Sequence, residues 1–339
     1  MNEVIRRGEM TPIRWRPPSA PPRARVKASA PPMPVIHRIE LPGTGPEDVV
    51  FGADDMIYTG TADGAILRID PHREQVWPVV STGGRPLGLH ADSDGSLLIC
   101  DAHRGLLRWD QGGGGLEVLV ETVDEQRLGF ASNVVRTGDG TIYFTESSQR
   151  WFLEQWMGDL FEHSGTGRLI ALAPSGQVTV LWEGLHFANG LAVEPGGDAL
   201  IVAETAAYRL NRFRLRGPRA GEREILIDNL PGFPDNISVG SDGLIWVSLA
   251  SPRNRLLDAL ADRPPWIRSL LWRVPDRVKP APERTVWVLG VDPDSGQIVH
   301  DLQRGPEEYS MVTSVAEHDR TLVLGSLHES AVAVTHVPA

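Results

Sequence analysis

Pro234-Asp235-Asn236-Ile237-Ser238-Val239, then Ser241-Asp242-Gly243-Leu244-Ile245-Trp246-Val247, reads as two apolar strands joined by an Asp/Gly turn. Gly, Asn and Asp tolerate the positive φ that tight hairpins need. An acid and an amide open the first strand. The same plan recurs in both directions along the chain. Glu47-Asp48-Val49-Val50 leads to Asp54-Asp55-Met56-Ile57-Tyr58, and Pro86-Leu87-Gly88-Leu89 to Asp94-Gly95-Ser96-Leu97-Leu98. Ala131-Ser132-Asn133-Val134-Val135 leads to Asp139-Gly140-Thr141-Ile142-Tyr143, and Ala188-Asn189-Gly190-Leu191 to Gly197-Asp198-Ala199-Leu200-Ile201. Val312-Thr313-Ser314-Val315 leads to His318-Asp319-Arg320-Thr321-Leu322. Third and fourth strands follow in several units, as in Gly167-Arg168-Leu169-Ile170 and Val178-Thr179-Val180-Leu181.

Six units of about four strands, at a spacing of roughly 40–50 residues, predict an all-β fold, a six-bladed β-propeller over 34–339. A β-sandwich does not explain the fixed period. The strand near Val35-Ile36-His37-Arg38-Ile39 is expected to complete the last blade. The fifth unit is stretched by 252–280, where apolar spacing predicts a short helical insertion of two amphipathic helices split at Pro264-Pro265. It reads as a lid over the channel mouth, with a packing cap or a membrane-surface helix as the other readings. Residues 1–33, rich in Pro, Arg and Ala, read as a flexible arm.

The 339 residues include 35 Gly and 27 Pro, which suits many short strands and tight turns. The net charge of −11 argues against nucleic acid as a partner. The single cysteine, Cys100, excludes an internal disulfide and a Cys-based zinc site. No apolar run approaches membrane-span length and no signal segment is recognisable, so a cytoplasmic protein without stable membrane insertion is expected. A small molecule is the expected partner; the oligomeric state is not legible.

In a propeller the first strand of each blade lines the channel, so equivalent openers meet in space. These are Glu47-Asp48, Asn133, Asn189 and Asp235-Asn236. Carboxylates crowded on an axis repel unless a cation compensates. Oxygen donors without thiol or imidazole suit Ca²⁺, and Mg²⁺ and Mn²⁺ fit the same donors. These openers are therefore the metal candidates as a set. Catalytic candidates are Asp235 as base or nucleophile, with Glu204 and His103 as alternative bases. Arg85, Trp151 and His186 are substrate-binding candidates, and Glu146, like Glu204, ends a second strand. No Gly-x-Ser-x-Gly elbow is present for a serine hydrolase.

Gly45-Pro46-Glu47-Asp48, Gly84-Arg85-Pro86-Leu87-Gly88-Leu89, Phe187-Ala188-Asn189-Gly190-Leu191, Gly232-Phe233-Pro234-Asp235-Asn236 and Glu317-His318-Asp319 carry a resemblance. As a set they resemble the strictosidine-synthase-like branch of the calcium-dependent propellers, which includes gluconolactonases and paraoxonases. The resemblance implies metal bound at Glu47, Asn133, Asn189 and Asp235, with Asp48 and Asn236 in support. Two positions depart from it. Thr313 stands where plant strictosidine synthases carry a catalytic glutamate, which argues against their condensation. Leu87 stands where paraoxonases carry a histidine. A Ca²⁺-dependent hydrolase of an ester or lactone is the leading expectation. A biosynthetic enzyme lacking that glutamate, and a non-catalytic propeller with a structural metal, are the alternatives.

Overall fold

The computed structural model describes residues 10–275 and 281–338, and in them six four-stranded antiparallel sheets form the blades. Blade 1 is Val49–Phe51, Ile57–Gly60, Ala65–Asp70 and Gln75–Ser81. Blade 2 is Pro86–Ala91, Leu97–Asp101, Gly105–Asp110 and Gly115–Val120. Blade 3 is Ala131–Arg136, Ile142–Glu146, Gly167–Leu172 and Val178–Leu185. Blade 4 is Ala188–Val193, Ala199–Glu204, Arg209–Arg214 and Arg223–Ile227. Blade 5 is Gly232–Val239, Ile245–Pro252, Val286–Val291 and Ile298–Arg304. Blade 6 is Val312–His318, Thr321–Ser326 and Ala331–His336, and His37–Glu40 adds its outer strand, with His37 opposite Val334 and Ile39 opposite Val332. The ring therefore closes as the repeat predicts.

The second strands of blades 2, 3 and 4 are buried because blades stack face to face, and their sequences read as apolar runs that end in a carboxylate. Between blades 4 and 5, for example, Ile201 and Leu210 pack with Ile237, Val247 and Leu289. Hydroxyls stitch the openers of blades 4, 5, 6 and 1 to the preceding blade. Thr145 donates to the Asn189 carbonyl at 2.7 Å, Thr205 to Pro234 at 2.6 Å, Ser248 to Thr313 at 2.7 Å and Thr313 to Glu47 at 2.7 Å.

The inner strands of blades 2 to 6 share a bulge near their start, between Pro86 and Leu89, Ala131 and Val134, Ala188 and Leu191, Pro234 and Ile237, and Val312 and Ser314. An extra residue there re-aims the side chains that open each strand. Close approach accompanies it. A Cβ on Gly190 would lie 2.5 Å from the Asp235 carbonyl oxygen and from the Ile237 nitrogen. Gly190→Ala is therefore expected to push blade 5 off the axis and destabilise the fold by about 1–3 kcal/mol, read from urea unfolding midpoints.

The insertion in blade 5 forms two helices, α2 (Arg255–Ala261) and α3 (Pro265–Trp272); positions 276–280 lie outside the described residues. Asn254 caps α2 by accepting from the Leu256 and Leu257 amides, and Pro265 sits in the first turn of α3. A helix not anticipated from sequence, α1 (Trp156–Glu162), crosses from blade 3 to meet them. Met10, Trp151, Phe161 and Trp272 form the small core of this cap.

Of the flexible arm expected over 1–33, residues 1–9 lie outside the described residues, and residues 10–33 are held against the fold. Met10 and Met33 are buried, and the amides of Thr11, Ile13 and Trp15 bond to Glu162 Oε1, the Glu162 carbonyl and the Ala261 carbonyl. The segment thus joins α1 to the end of α2. Composition hides this, because prolines remove amides only at their own positions.

Candidate functional site

Three of the openers, Glu47, Asn189 and Asp235, face a cavity of about 120 Å³ under the cap. Its floor carries Glu47, Ser132, Asn189 and Asp235, with Thr205 and Thr313 beside them. Leu87, Phe130, Phe187, Phe233, Met311 and Leu327 make the walls, and α1 and α2 supply the roof through Trp156, Met157, Leu160, Leu257 and Leu260. Phe187 (φ 62°) and Met311 (φ 52°) hold left-handed backbone, a strained state that the surrounding fold must impose.

The floor is a chain of hydrogen bonds. Asn189 Nδ2 donates to Asp235 Oδ1 at 2.5 Å, and Ser132 Oγ donates to Asn189 Oδ1 at 3.0 Å. Asn236 Nδ2 donates to Glu47 Oε1 at 3.1 Å, and Asn133 Nδ2 to Asn236 Oδ1 at 3.0 Å. Glu47 Oε2 is buried and has no hydrogen-bond partner. Burial, then the charges of Asp235 and Asp48, push the Glu47 carboxyl well above the usual range, with Arg85 opposing. Burial pushes Asp235 up to about 7 and Asp48 up to about 6. Negative charge at this floor is thus under-compensated.

These residues fit a hard cation: an orphaned carboxylate oxygen, a second carboxylate and a carboxamide converge without imidazole or thiol. Among the described residues no group of three or more His, Cys, Asp and Glu side chains is arranged to hold a metal. The oxygens beyond the two carboxylates come from asparagine.

The other sequence-predicted residues separate from this floor. Asn133 does not line the cavity. Its amide supports Asn236, its Oδ1 accepts from the Leu191 amide at 3.3 Å, and it borders the opposite mouth of the channel. Asp48 also borders that mouth, accepting from the Val49 and Leu89 amides and the Ser314 hydroxyl. Glu204 is corrected as a base. It is fully buried, and its oxygens accept from the His186 amide, Arg209 and Asn211. Asp101 and Glu146 do the same work in blades 2 and 3, receiving the Arg85 and Gly129 amides. A carboxylate ending the second strand is thus a repeated device for holding the loop before the inner strand.

His103 is corrected likewise: it lies half-exposed, 2.7 Å from Glu154, away from the cavity. Trp151 is a cap core residue, with Nε1 donating to Glu162 and the ring edge-on to Trp272 at 5.3 Å. His186 stacks on His163 at 3.8 Å, and burial holds His163 down to about 2. Neither Trp151 nor His186 lines the cavity. Arg85 is buried behind Glu47 and donates to the Pro86 carbonyl, so it acts on the floor through charge. Leu87 and Thr313 both line the cavity, so the positions that depart from the paraoxonase and strictosidine synthase patterns face the site. Trp156 is legible as an apolar pocket liner, whereas helix α1 with its roof residues Met157 and Leu160 is not, because a seven-residue helix holding Gly158 gives little periodic signal.

Among the described residues no helix is long and apolar enough to cross a membrane. The family model described as strictosidine synthase matches residues 133–218, and the one described as strictosidine synthase-like, N-terminal, matches 35–69. The adipocyte plasma membrane-associated protein of Gallus gallus is 32% identical over 306 residues, covering 83% of this chain and 73% of its own. Protein strictosidine synthase-like 6 of Arabidopsis thaliana is 32% identical over 294 residues, covering 84% and 77%. Among solved structures, a gluconolactonase from Xanthomonas campestris superposes with a TM-score of 0.64 at 17% identity, covering 98% of both chains, a likeness of fold. On these matches the chain, a six-bladed β-propeller, belongs to the strictosidine synthase-like family.

Proposed function

We propose that this protein is a calcium-dependent hydrolase that opens a lactone or carboxylic ester bound in the capped cavity. The observation that carries the reading is Glu47 Oε2, a buried oxygen without a partner beside a second raised carboxylate, under apolar walls. The gluconolactonase likeness supports the lactone class.

Glu47, Asn189 and Asp235 would hold the cation, with Asn133 and Asn236 fixing Glu47 from behind. Calcium bound there supplies a Lewis acid for a carbonyl oxygen. The walls take the hydrocarbon part of the substrate and exclude water. The floor hydroxyls of Thr205, Thr313 and Ser132 already donate to the Pro234 carbonyl, the Glu47 carbonyl and Asn189 Oδ1. That leaves Asp235, oriented by Asn189, as the cavity group best placed to accept a proton or attack. Thr313 at the floor supplies no carboxylate for a strictosidine-type condensation.

The test is turnover of a lactone, aryl-ester and phosphotriester panel with calcium and with chelator. Hydrolysis of a lactone or ester is expected to fall about 100-fold or more on chelation, equivalent to about 2.7 kcal/mol, and to return with calcium. A melting temperature that responds to calcium while every substrate stays intact would instead mark a binding propeller with a structural ion.

A further inference from the structure

The chain's charge is segregated. Residues 1–33 carry seven Lys/Arg against two Asp/Glu, and residues 252–284 carry eight against four, so these stretches total +9 within a chain of −11 and leave −20 elsewhere. Residues 10–16 meet helices α2 and α3 on the cap, whereas Arg23 pairs with Asp301 of blade 5. Arg268 donates to the Ile13 carbonyl, Ser269 to the Met10 carbonyl, and Arg14 and Arg16 reach Asp262 at the turn between α2 and α3.

Helix α3 has two faces of unlike use. Arg268 and Trp272 are buried against the cap. Trp266, Leu270 and Arg273, spaced four and three residues apart, share the outward face. Trp266 is 65% exposed and Leu270 58%, and Ile13 on the adjoining segment is 51% exposed. Arg263 and Arg273 flank them at the two ends of the helix, both exposed. A monomer gains nothing by presenting a tryptophan and a leucine to water on one helix face.

The geometry points to a peripheral membrane-docking surface: α3 and the neighbouring 10–16 segment lie on an anionic lipid surface, with Trp266, Leu270 and Ile13 entering the interface and the flanking arginines meeting headgroups. Aromatic and aliphatic tips framed by arginine, on a helix lying flat, are the pattern such a plane selects. Charge complementarity selects the occupant. A second copy would bring like charge against like, whereas the −20 remainder turns the cap toward a negative surface. The roof of the cavity is built from the same cap, so docking places the cavity's cover at the bilayer. The inference is independent of the hydrolase reading, since lipid binding needs no substrate.

The test is co-sedimentation of the full chain with phosphatidylcholine vesicles, with and without phosphatidylserine, at low and high salt. Binding is expected to the anionic vesicles alone and to weaken with salt. Trp266→Ser/Leu270→Ser is expected to weaken it about 10-fold or more, and Arg263→Glu/Arg273→Glu likewise. Both pairs are exposed, and unchanged melting temperatures check that the fold is retained. Failure of the wild-type chain to bind anionic vesicles overturns the proposal and gives the surface to a protein partner. Undiminished binding by both double variants also overturns it.

Discussion

Asp235→Ala loses calcium binding altogether, and in the absence of calcium it is more stable than the wild-type protein at pH 8. The first half follows from the floor's composition: of two carboxylates in the cavity, one is removed and the Asn189 amide loses its closer acceptor, keeping Thr205 Oγ1 at 3.3 Å. The second half follows from the cost of burying unpaired charge. Burial pushes Asp235 up to about 7, so above that pH the cation-free wild type holds an ionised group that its surroundings disfavour. Alanine removes that cost along with the binding site. Titration calorimetry checks the affinity, and urea unfolding in chelator at pH 8 checks the stability. Unchanged calcium affinity in the variant would refute the site.

The cation-free wild type also has a pH dependence of unusual sign. Asp235 moves from 3.8 to about 7, Asp48 from 3.8 to about 6, and Glu47 moves upward as well. The folded chain therefore binds more protons than the unfolded chain between about pH 4 and pH 7, and stability falls as pH rises through that window. Each group contributes up to ~1.4 kcal/mol per pH unit inside its own window, reduced for Asp235 by its partial opening to the cavity. Calcium at about 100 times its dissociation constant restores ~2.7 kcal/mol, with the gain largest where the carboxylates are ionised. Chemical unfolding from pH 4 to pH 8, with chelator and with calcium, should give curves that diverge toward high pH. Parallel curves would mean that the ion is held elsewhere.

The blades were legible because most hairpins announce themselves twice, by a polar opener and by an Asp/Gly turn, and Val239 to Ile245 is typical. Position within the repeat also groups Glu47, Asn189 and Asp235, and the three line one cavity. It could not say how far along the axis a side chain sits. The bulge at Ala131 to Val134 leaves Asn133 facing the other mouth, although its neighbour Ser132 reaches the cavity. Glu204 misled for a related reason. A carboxylate at a strand end looks available until Arg209, Asn211 and the His186 amide are seen to use it, and those partners come from separate stretches of chain. The cap was half legible: α2 and α3 show helical spacing, whereas α1 and the 10–16 segment are held by contacts such as Thr11 to Glu162, 151 residues apart.

The closure of blade 6 by His37–Glu40 sets a timetable for biosynthesis. Glu47 is among the first site residues to leave the ribosome, yet Thr313 and Ser314, which fasten its carbonyl and its neighbour Asp48, are among the last. A nascent chain stalled before blade 6 would hold five blades and an unmoored first carboxylate. The carboxylate floor is thus fastened only when the first and last strands of the ring have paired.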